Sequence, residues 1–239
     1  AGLSPKAVVL VATIRALRHH GGASKDEYNT PNLVYVKDGF CNLEKHIENI
    51  RKFHIEPVVA INAFSNDSYE EINFIIEKCA DLGVKAVVSD GWSKGGKGTI
   101  DLAKAVVNIV DSNASEFKPL YNWNSPVKEK IEKIAKEIYG ADAVDFDKKA
   151  KLNLRRIDRL GFNDFAICMA KTQKSFTDNE FLIGRPTNFV VTVREIEIAS
   201  GAKFIIPILG QMMRMPGLPG TPASENMTID NNGVISGLS

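Results

Sequence analysis

The feature that most limits the fold of this chain is a pattern that occurs three times in its first 112 residues. Each time, a short apolar run is followed by a longer segment whose apolar positions repeat with helical spacing. The runs are residues 7–12, 57–61 and 84–88, and the helical segments are residues 39–53, 68–82 and 99–110. A run that is apolar at every position predicts a strand buried on both faces. The alternation therefore predicts an α/β fold with a parallel sheet and right-handed crossovers.

The second of these helices has boundary signals at both ends. Ser68 is followed three residues later by Glu71, and this spacing predicts a capping box at the N-terminus of the helix. Gly83 stands just past the last apolar position, where a glycine commonly ends a helix. The helix is therefore the element whose limits are best defined by local sequence.

The pattern changes after residue 112. Two helices are predicted first, at residues 125–139 with Ser125 and Pro126 at the start, and at residues 146–160 ending before Gly161. Short β segments are then predicted at residues 165–169, 189–198, 204–209, 227–229 and 234–235. We therefore divide the chain into residues 1–112, an α/β domain, and residues 113–239, a helical pair with a small β-rich domain of α+β type.

The predicted parallel sheet is small. Sheets of the doubly wound kind usually have more than three strands. The first predicted strand begins at residue 7 and is apolar on both faces, so it needs neighbouring strands and covering layers. We therefore expect residues 1–112 to form the second half of a larger sheet whose first half precedes Ala1.

Composition excludes several classes of function. The formal net charge is +1 and the sequence pI is about 7.9, so there is no cationic excess for nucleic acid or an anionic membrane surface. No apolar run approaches the roughly 18 residues that span a bilayer. The three cysteines, Cys41, Cys79 and Cys168, form no metal-binding or redox motif and are expected to be reduced thiols of a cytoplasmic protein.

Residues 11–22 read V-A-T-I-R-A-L-R-H-H-G-G. This segment resembles the signature of formate–tetrahydrofolate ligases, V-A-T-[VI]-R-A-L-K-x-H-G-G, with Arg18 in place of the usual Lys. Residues 24–40 depart from the family and are predicted to be a loop. The other segments that match the family are residues 42–50, 58–64, 92–98, 138–142, 169–173, 184–186 and 215–219. The chain is therefore similar to the C-terminal part of such a ligase.

The resemblance implies an enzyme of one-carbon metabolism. ATP phosphorylates formate to formyl phosphate, and the amine of tetrahydrofolate then displaces phosphate to give 10-formyltetrahydrofolate. The resemblance further implies a P-loop-NTPase-like sheet in the nucleotide- and folate-binding domain, a homotetramer, and stimulation by monovalent cations. ATP and Mg²⁺ are expected to bind mainly to the part that precedes Ala1, which would also hold the catalytic residues. This chain is expected to supply the folate-facing part and to be inactive alone.

Phe64 and Trp92 are the predicted folate-binding residues. Each follows a predicted parallel strand, at the edge where ligands of open α/β sheets bind. They match the aromatic pair that sandwiches the pterin ring in this family; the alternative is that both are ordinary core aromatics. Further ligand contacts are expected from five residues near the same edge, namely Asn62, Arg15, His20, Gly95 and Gly96.

The segment 91–99, G-W-S-K-G-G-K-G-T, nearly fits a phosphate-binding loop. Gly98 stands where the Mg²⁺-coordinating hydroxyl belongs, and Thr99 comes one position late. Two alternatives to a ligase part remain open: a non-catalytic folate-binding module, and an independent P-loop ATPase that uses Lys97. No metal site is predicted, and His46 and His54 are interpreted as surface or interface residues. No chemical role is assigned to the Met-Pro-Gly-Leu-Pro loop at residues 215–219.

Overall fold

A computed structural model describes residues 3–112, 115–210 and 220–237 of the chain. Its strands are β1 (Val8–Ala12), β2 (Pro57–Asn62), β3 (Lys85–Ser89), β4 (Ala143–Phe146), β5 (Ala166–Ile167), β6 (Val190–Ala199), β7 (Phe204–Leu209), β8 (Thr228–Ile229) and β9 (Ile235–Ser236). Its α-helices are α1 (Ile14–His20), α2 (Leu33–Arg51), α3 (Tyr69–Asp81), α4 (Gly91–Lys94), α5 (Ile100–Ser112), α6 (Val127–Ile134) and α7 (Lys148–Leu160).

The first sheet confirms the predicted parallel arrangement. Its three strands lie in the order β1-β2-β3, and both pairs are parallel. On one face, Val59 and Ile61 of β2 pack with α2 and α3 in a single apolar core. On the other face, α5 packs against β2 and β3. Because both pairs are parallel, the carboxyl ends of all three strands lie at the same edge of the sheet.

The predicted capping box of α3 is confirmed. The Ser68 hydroxyl accepts a hydrogen bond from the Glu71 amide at 3.3 Å, and the Glu71 carboxylate accepts one from the Ser68 amide at 3.0 Å. Gly83 follows the helix with a φ of +71°, a conformation that glycine adopts without strain. Local sequence signals were sufficient here because both ends of the helix are satisfied by near neighbours.

The prediction of a loop at residues 24–40 is wrong in part. Helix α2 begins at Leu33, where the Asn32 side chain caps it by accepting from the Val34 amide at 3.0 Å. A separate helix, α1, occupies Ile14–His20. Gly39 lies inside α2, where glycine lowers helix stability, yet a Cβ atom there would lie 2.0 Å from the Leu17 carbonyl oxygen of α1. The glycine is therefore required by the close approach of two helices.

The second sheet is mixed and has the order β4-β6-β7-β5. Strand β6 runs parallel to β4 and antiparallel to β7, while β5 runs parallel to β7. Strand β4 was not predicted, because its four residues directly precede α7 and were partly assigned to that helix. As predicted, α7 ends at Gly161, which has a φ of +73°. Strands β8 and β9 form a separate antiparallel pair.

The start of α6 differs from the prediction. Pro126 is its N-cap residue in an extended conformation, and no side chain caps the helix, so Ser125 does not fill this role. After Ile134 the chain continues in a π-helical turn, Ala135–Tyr139, which ends at Gly140 in the left-handed region. Residues 211–219, including Met212, Met213 and the Met-Pro-Gly-Leu-Pro loop, lie outside the described residues.

Strand β1 is not buried on both faces as its apolar run predicts. Its burial alternates, with Val9 39% exposed and Val11 62% exposed. In register these two residues share the sheet face on which α5 lies, but α5 covers β2 and β3 and leaves β1 open. Ile100 and Val107 of α5 are also about half exposed. An apolar surface made of β1 and α5 therefore has no covering layer among the described residues.

None of the helices in the described ranges has the length and apolar character needed to cross a membrane.

Candidate functional site

The edge formed by the carboxyl ends of β1, β2 and β3 gathers the predicted ligand contacts. In register, Ala12 lies beside Ile61, and Asn62 lies beside Ser89. The segments that follow the three strands therefore leave the sheet side by side. Open α/β sheets bind ligands in the crevice outside the carboxyl ends of their strands. A ligand site is therefore expected at this edge.

Phe64 and Trp92 form a stacked pair at this edge. Their ring centroids are 6.3 Å apart and the ring planes meet at 26°. Phe64 is 47% exposed and Trp92 is 64% exposed, so the alternative that both are ordinary core aromatics is wrong. The Trp92 Nε1–H donates to the Ala63 carbonyl oxygen at 3.2 Å, which orients the indole ring over the β2 end.

The two rings lie against each other as an offset pair. Their centroid separation of 6.3 Å is within the range of about 4.5–7 Å for aromatic pairs in contact, so a third flat ring enters between them only if one of the two side chains moves. Trp92 lies on the four-residue helix α4, and the indole N–H makes a single hydrogen bond. Because it is exposed and lies on so short a helix, Trp92 is the side chain expected to move.

Arg18 holds the segment that carries Phe64. Its guanidinium is 1% exposed and donates to both carboxylate oxygens of Glu71, at 2.9 and 2.6 Å. The same group donates to the carbonyl oxygens of Tyr28, at 2.8 Å, and of Asn66, at 3.4 Å. A further ion pair joins it to Asp67 at 3.6 Å. Helix α1 is thereby tied to the loop between β2 and α3.

Asp67 completes the connection to the aromatic pair. Its Oδ2 accepts a hydrogen bond from the Phe64 amide at 2.8 Å. Burial raises the pKa of Asp67, while the Phe64 amide and the Arg18 charge lower it. For Glu71, burial alone would raise the pKa, but the hydrogen bonds from Arg18, Ser68 and the Asn32 amide outweigh it and give a pKa of about 2. Both carboxylates therefore serve to position the Phe64 loop.

Sequence reasoning missed this role of Arg18 and treated the residue only as a replacement for Lys. A signal was present, since Arg18 shares a helical face with the apolar Ile14 and Leu17. A charged residue on an apolar face needs a buried partner. A lysine carries three donors on one nitrogen and cannot match the planar fork that reaches Glu71, Tyr28 and Asn66 at once.

The segment 91–99 is folded against itself. Helix α4 covers Gly91–Lys94, and a 3₁₀ helix covers Gly95–Thr99. The Asp90 amide donates to the Gly98 carbonyl oxygen at 3.1 Å, and a Cβ atom at Gly98 would lie 2.2 Å from the Asp90 carbonyl oxygen. Close backbone packing therefore explains why glycine stands where a phosphate-binding loop has a hydroxyl.

Within residues 90–99, the Asp90 carboxylate is paired with neighbouring side chains, whereas two of the glycines are open to solvent. The Asp90 carboxylate pairs with Lys94 at 2.7 Å and also accepts from the Ser93 hydroxyl. By contrast, Cβ atoms built at Gly95 and Gly96 would meet nothing within 4 Å. These two glycines therefore face open space beside Trp92, where a ligand could reach their backbone.

The remaining predicted contacts are not all at the same place. Asn62 is half-buried at the end of β2. Arg15 is exposed on α1, with its guanidinium carbon 5.6 Å from the centre of the Tyr28 ring. His20 lies elsewhere, and its Nδ1 accepts from the Gly184 amide at 3.1 Å. The structure therefore separates His20 from the aromatic pair.

His20 lines a cavity of about 330 Å³ between the two halves of the chain, with Asn49, Tyr139 and Lys171. Burial lowers the pKa of His20 to about 4 and that of Lys171 to about 8. His46, interpreted from the sequence as a surface or interface residue, lines the same cavity and packs against Phe176 with ring centroids 4.7 Å apart. At neutral pH the cavity between the two halves is therefore lined by two uncharged imidazoles, His20 and His46, and by the Lys171 ammonium group, which loses its proton more easily than that of an ordinary lysine.

The described ranges contain no cluster of three or more His, Cys, Asp or Glu side chains that could hold a metal ion. Cys41, Cys79 and Cys168 are free thiols. Burial raises the pKa of Cys79 to about 11, so its thiol is unreactive near neutral pH.

The whole sequence matches a model of one protein family. That family is described as formate–tetrahydrofolate ligase, and the match covers residues 1–239. It spans all three sheets of the described residues and includes Phe64, Trp92 and the Arg18 motif. The resemblance first seen in residues 11–22 therefore extends over the full chain.

Proposed function

The chain belongs to the formate–tetrahydrofolate ligase family, and we propose from this premise that it supplies the tetrahydrofolate-binding part of such a ligase. In the first step an oxygen of formate attacks the terminal phosphorus of ATP, giving formyl phosphate and ADP. In the second step the amine of tetrahydrofolate attacks the formyl carbon, phosphate leaves, and the amine loses a proton. The product is 10-formyltetrahydrofolate.

The stacked pair of Phe64 and Trp92 is the observation that supports this proposal most directly. A pterin is a flat heteroaromatic ring, and aromatic side chains bind such rings by stacking on their faces. By analogy with nucleobases, each face contributes about 1–3 kcal/mol of binding free energy. Both rings are exposed at the edge of the sheet where a ligand would enter. The task of these two residues is therefore to hold and orient the reacting folate.

The Arg18 network supports the same task by holding the loop that carries Phe64. It fixes the carbonyl of Asn66 and the carboxylate of Asp67, and Asp67 in turn holds the Phe64 amide. A ring that stacks on Phe64 therefore rests on a loop held by a buried ion pair. Such positioning matters because formyl transfer requires the amine to meet the formyl carbon at a defined angle and distance.

We assign the binding of ATP and Mg²⁺ to another part of the enzyme. The near match to a phosphate-binding loop at residues 91–99 closes on itself through the hydrogen bond between the Asp90 amide and the Gly98 carbonyl oxygen. Strand β1 is an edge strand with which a strand of a nucleotide-binding part could pair, and such a part could also cover the exposed apolar face of Val9, Val11, Ile100 and Val107. On the family pattern, the ligase is a cytoplasmic homotetramer stimulated by monovalent cations.

A reconstitution assay tests whether this chain binds tetrahydrofolate while another part of the enzyme binds ATP. The chain is incubated with Mg-ATP, formate and tetrahydrofolate, with or without the N-terminal portion of a ligase of the same family, and 10-formyltetrahydrofolate is measured by chromatography. We expect product only when both parts are present, and a much lower yield with Trp92→Ala. Product formed by the chain alone would contradict the proposed division.

The other functions give different results in the same assay. A non-catalytic folate-binding module would bind tetrahydrofolate and give no product in either mixture. An independent ATPase would release phosphate without formate and lose that activity with Lys97→Ala. The closed conformation of residues 91–99 gives no support to the ATPase.

A further inference from the structure

The cavity of about 330 Å³ between the two halves of the chain takes no part in the proposed function. Side chains of β1, α1 and α2 line one wall, and side chains of residues 138–139 and 171–176 line the other. Ligand pockets usually have volumes of about 300–1,000 Å³, so a small organic molecule fits this one. We name it the junction cavity and define it by His20, Phe53, Ile138, Tyr139, Lys171 and Phe176.

Among the described residues, Lys171 carries the one charge that lines the junction cavity. Its ammonium donates to the carbonyl oxygen of Thr172 at 3.0 Å and to that of Ser175, and lies 4.9 Å from the centre of the Tyr139 ring. Burial lowers the pKa of Lys171 to about 8, so the group is still mostly protonated at pH 7. No ion pair joins it to a carboxylate in the described ranges. Its charge is therefore available to an anionic ligand.

His20 adds an oriented hydrogen-bond donor to the same cavity. Its Nδ1 accepts from the Gly184 amide at 3.1 Å, so the proton of the neutral ring lies on Nε2. Burial lowers the pKa of His20 to about 4 and also lowers that of His46, so neither ring brings a second charge at pH 7. One positive charge and one neutral N–H donor suit a monocarboxylate better than a phosphate or a dicarboxylate.

The remaining wall of the junction cavity is apolar and largely aromatic. Phe53, Tyr139 and Phe176 contribute three rings to it. Phe176 is buried and packs against His46 with ring centroids 4.7 Å apart, so its position is fixed. Flat rings bind to such walls through offset-stacked or edge-to-face contacts. The ligand is therefore expected to carry an aromatic ring beside its carboxylate.

We propose that the junction cavity binds a small aromatic monocarboxylate, at a site separate from the aromatic pair at the sheet edge. The carboxylate pairs with Lys171 and accepts from the His20 Nε2–H, while the ring of the ligand lies against Phe53 and Phe176. His20 and Phe53 belong to the first half of the chain, and Lys171 and Phe176 belong to the second. The bound ligand therefore joins the two halves.

Isothermal titration calorimetry at pH 7 with benzoate and with its neutral analogue benzamide tests this site. For the unmodified chain we expect benzoate to bind with a Kd below about 1 mM, and benzamide to bind at least about tenfold more weakly. Lys171→Met keeps most of the side-chain volume and is expected to remove this preference for the anion. Phe53→Leu is expected to keep the preference and to weaken both ligands about 2- to 10-fold, because one ring contact is lost.

Lys151→Met, which removes an exposed positive charge on α7, is the matched control and is expected to bind both ligands like the unmodified chain. Circular dichroism checks the fold of each variant, and Phe53→Leu decides alone if Lys171→Met does not fold. Equal affinity for benzoate and benzamide, or no binding of benzoate to the folded unmodified chain, would overturn the inference. Benzoate binding that is unchanged in folded Lys171→Met or in Phe53→Leu would place the anion elsewhere and overturn it too.

Discussion

Replacing Arg18 by Met is expected to lower the free energy of unfolding by about 3–5 kcal/mol, because it leaves one half of a buried ion pair without its partner. The Arg18 side chain is 1% exposed, and Glu71 is fully buried. The substitution keeps most of the side-chain volume, so the loss reports the missing charge and hydrogen bonds. The carbonyl oxygens of Tyr28 and Asn66 lose a donor at the same time.

Arg15→Met is the matched control, since it makes the same change one turn earlier on α1 at an exposed position. Its expected effect is below about 1 kcal/mol, as is usual for surface charges. Urea denaturation followed by circular dichroism measures both variants. Equal stabilities of the two variants would show that the Arg18 network does not hold the fold.

The same network predicts how stability depends on pH. Glu71 has a pKa of about 2 in the folded chain against an ordinary value of 4.5, so it stabilises the fold fully above about pH 4.5. That contribution is lost as the pH falls from about 4.5 to about 2. Asp67 acts in the opposite direction, because burial raises its pKa. In Arg18→Met the contribution of Glu71 to this acid-side loss is expected to shrink.

Replacing Gly39 by Ala is expected to lower the free energy of unfolding by about 3 kcal/mol, through overpacking between α1 and α2. The added Cβ would lie 2.0 Å from the Leu17 carbonyl oxygen and 2.8 Å from the Gly21 amide nitrogen. Both are backbone atoms, so no side-chain rotation relieves the contact and the helices must separate. The higher helix propensity of Ala offsets only about 1 kcal/mol.

Gly201→Ala is the control for this substitution, since a Cβ there would meet nothing within 4 Å and its φ is not positive. Its expected effect lies within about 0.5 kcal/mol of zero. Thermal and urea unfolding of the two variants, measured under one set of conditions, make the comparison. If Gly39→Ala were as stable as Gly201→Ala, the two helices would not lie as close as described.

Sequence reasoning succeeded where the determinants are local. The strands β1, β2 and β3 were predicted by apolar runs, and α3 by a capping box of adjacent residues. The position of Phe64 and Trp92 at one edge followed from the parallel order of the strands. Both rings project from segments directly after strands, so no long-range information was needed to place them together.

The features that were missed depend on distant partners. Gly39 pairs with Leu17 across two helices, and its role cannot be read from the residues beside it. Arg18 meets Glu71 53 residues away, and His20 meets Gly184 164 residues away. A cavity beside α1 is lined by Arg15 and by Lys174 and Phe181, which are also far apart in sequence. Local periodicity can indicate that a residue such as Arg18 is buried, but it does not identify the distant partner.

The measurement that most directly tests the central claim is a titration of the chain with tetrahydrofolate, followed by tryptophan fluorescence. Trp123, which packs edge-on against Tyr121, also reports, so Trp92→Phe identifies the source of any change. Phe64→Ala is expected to weaken binding by about 1–3 kcal/mol, or roughly 5- to 150-fold in Kd. The account predicts saturable quenching that Trp92→Phe abolishes. Quenching that persists unchanged in Trp92→Phe, or its absence from the folded chain, would contradict the assignment of the pterin site to Phe64 and Trp92.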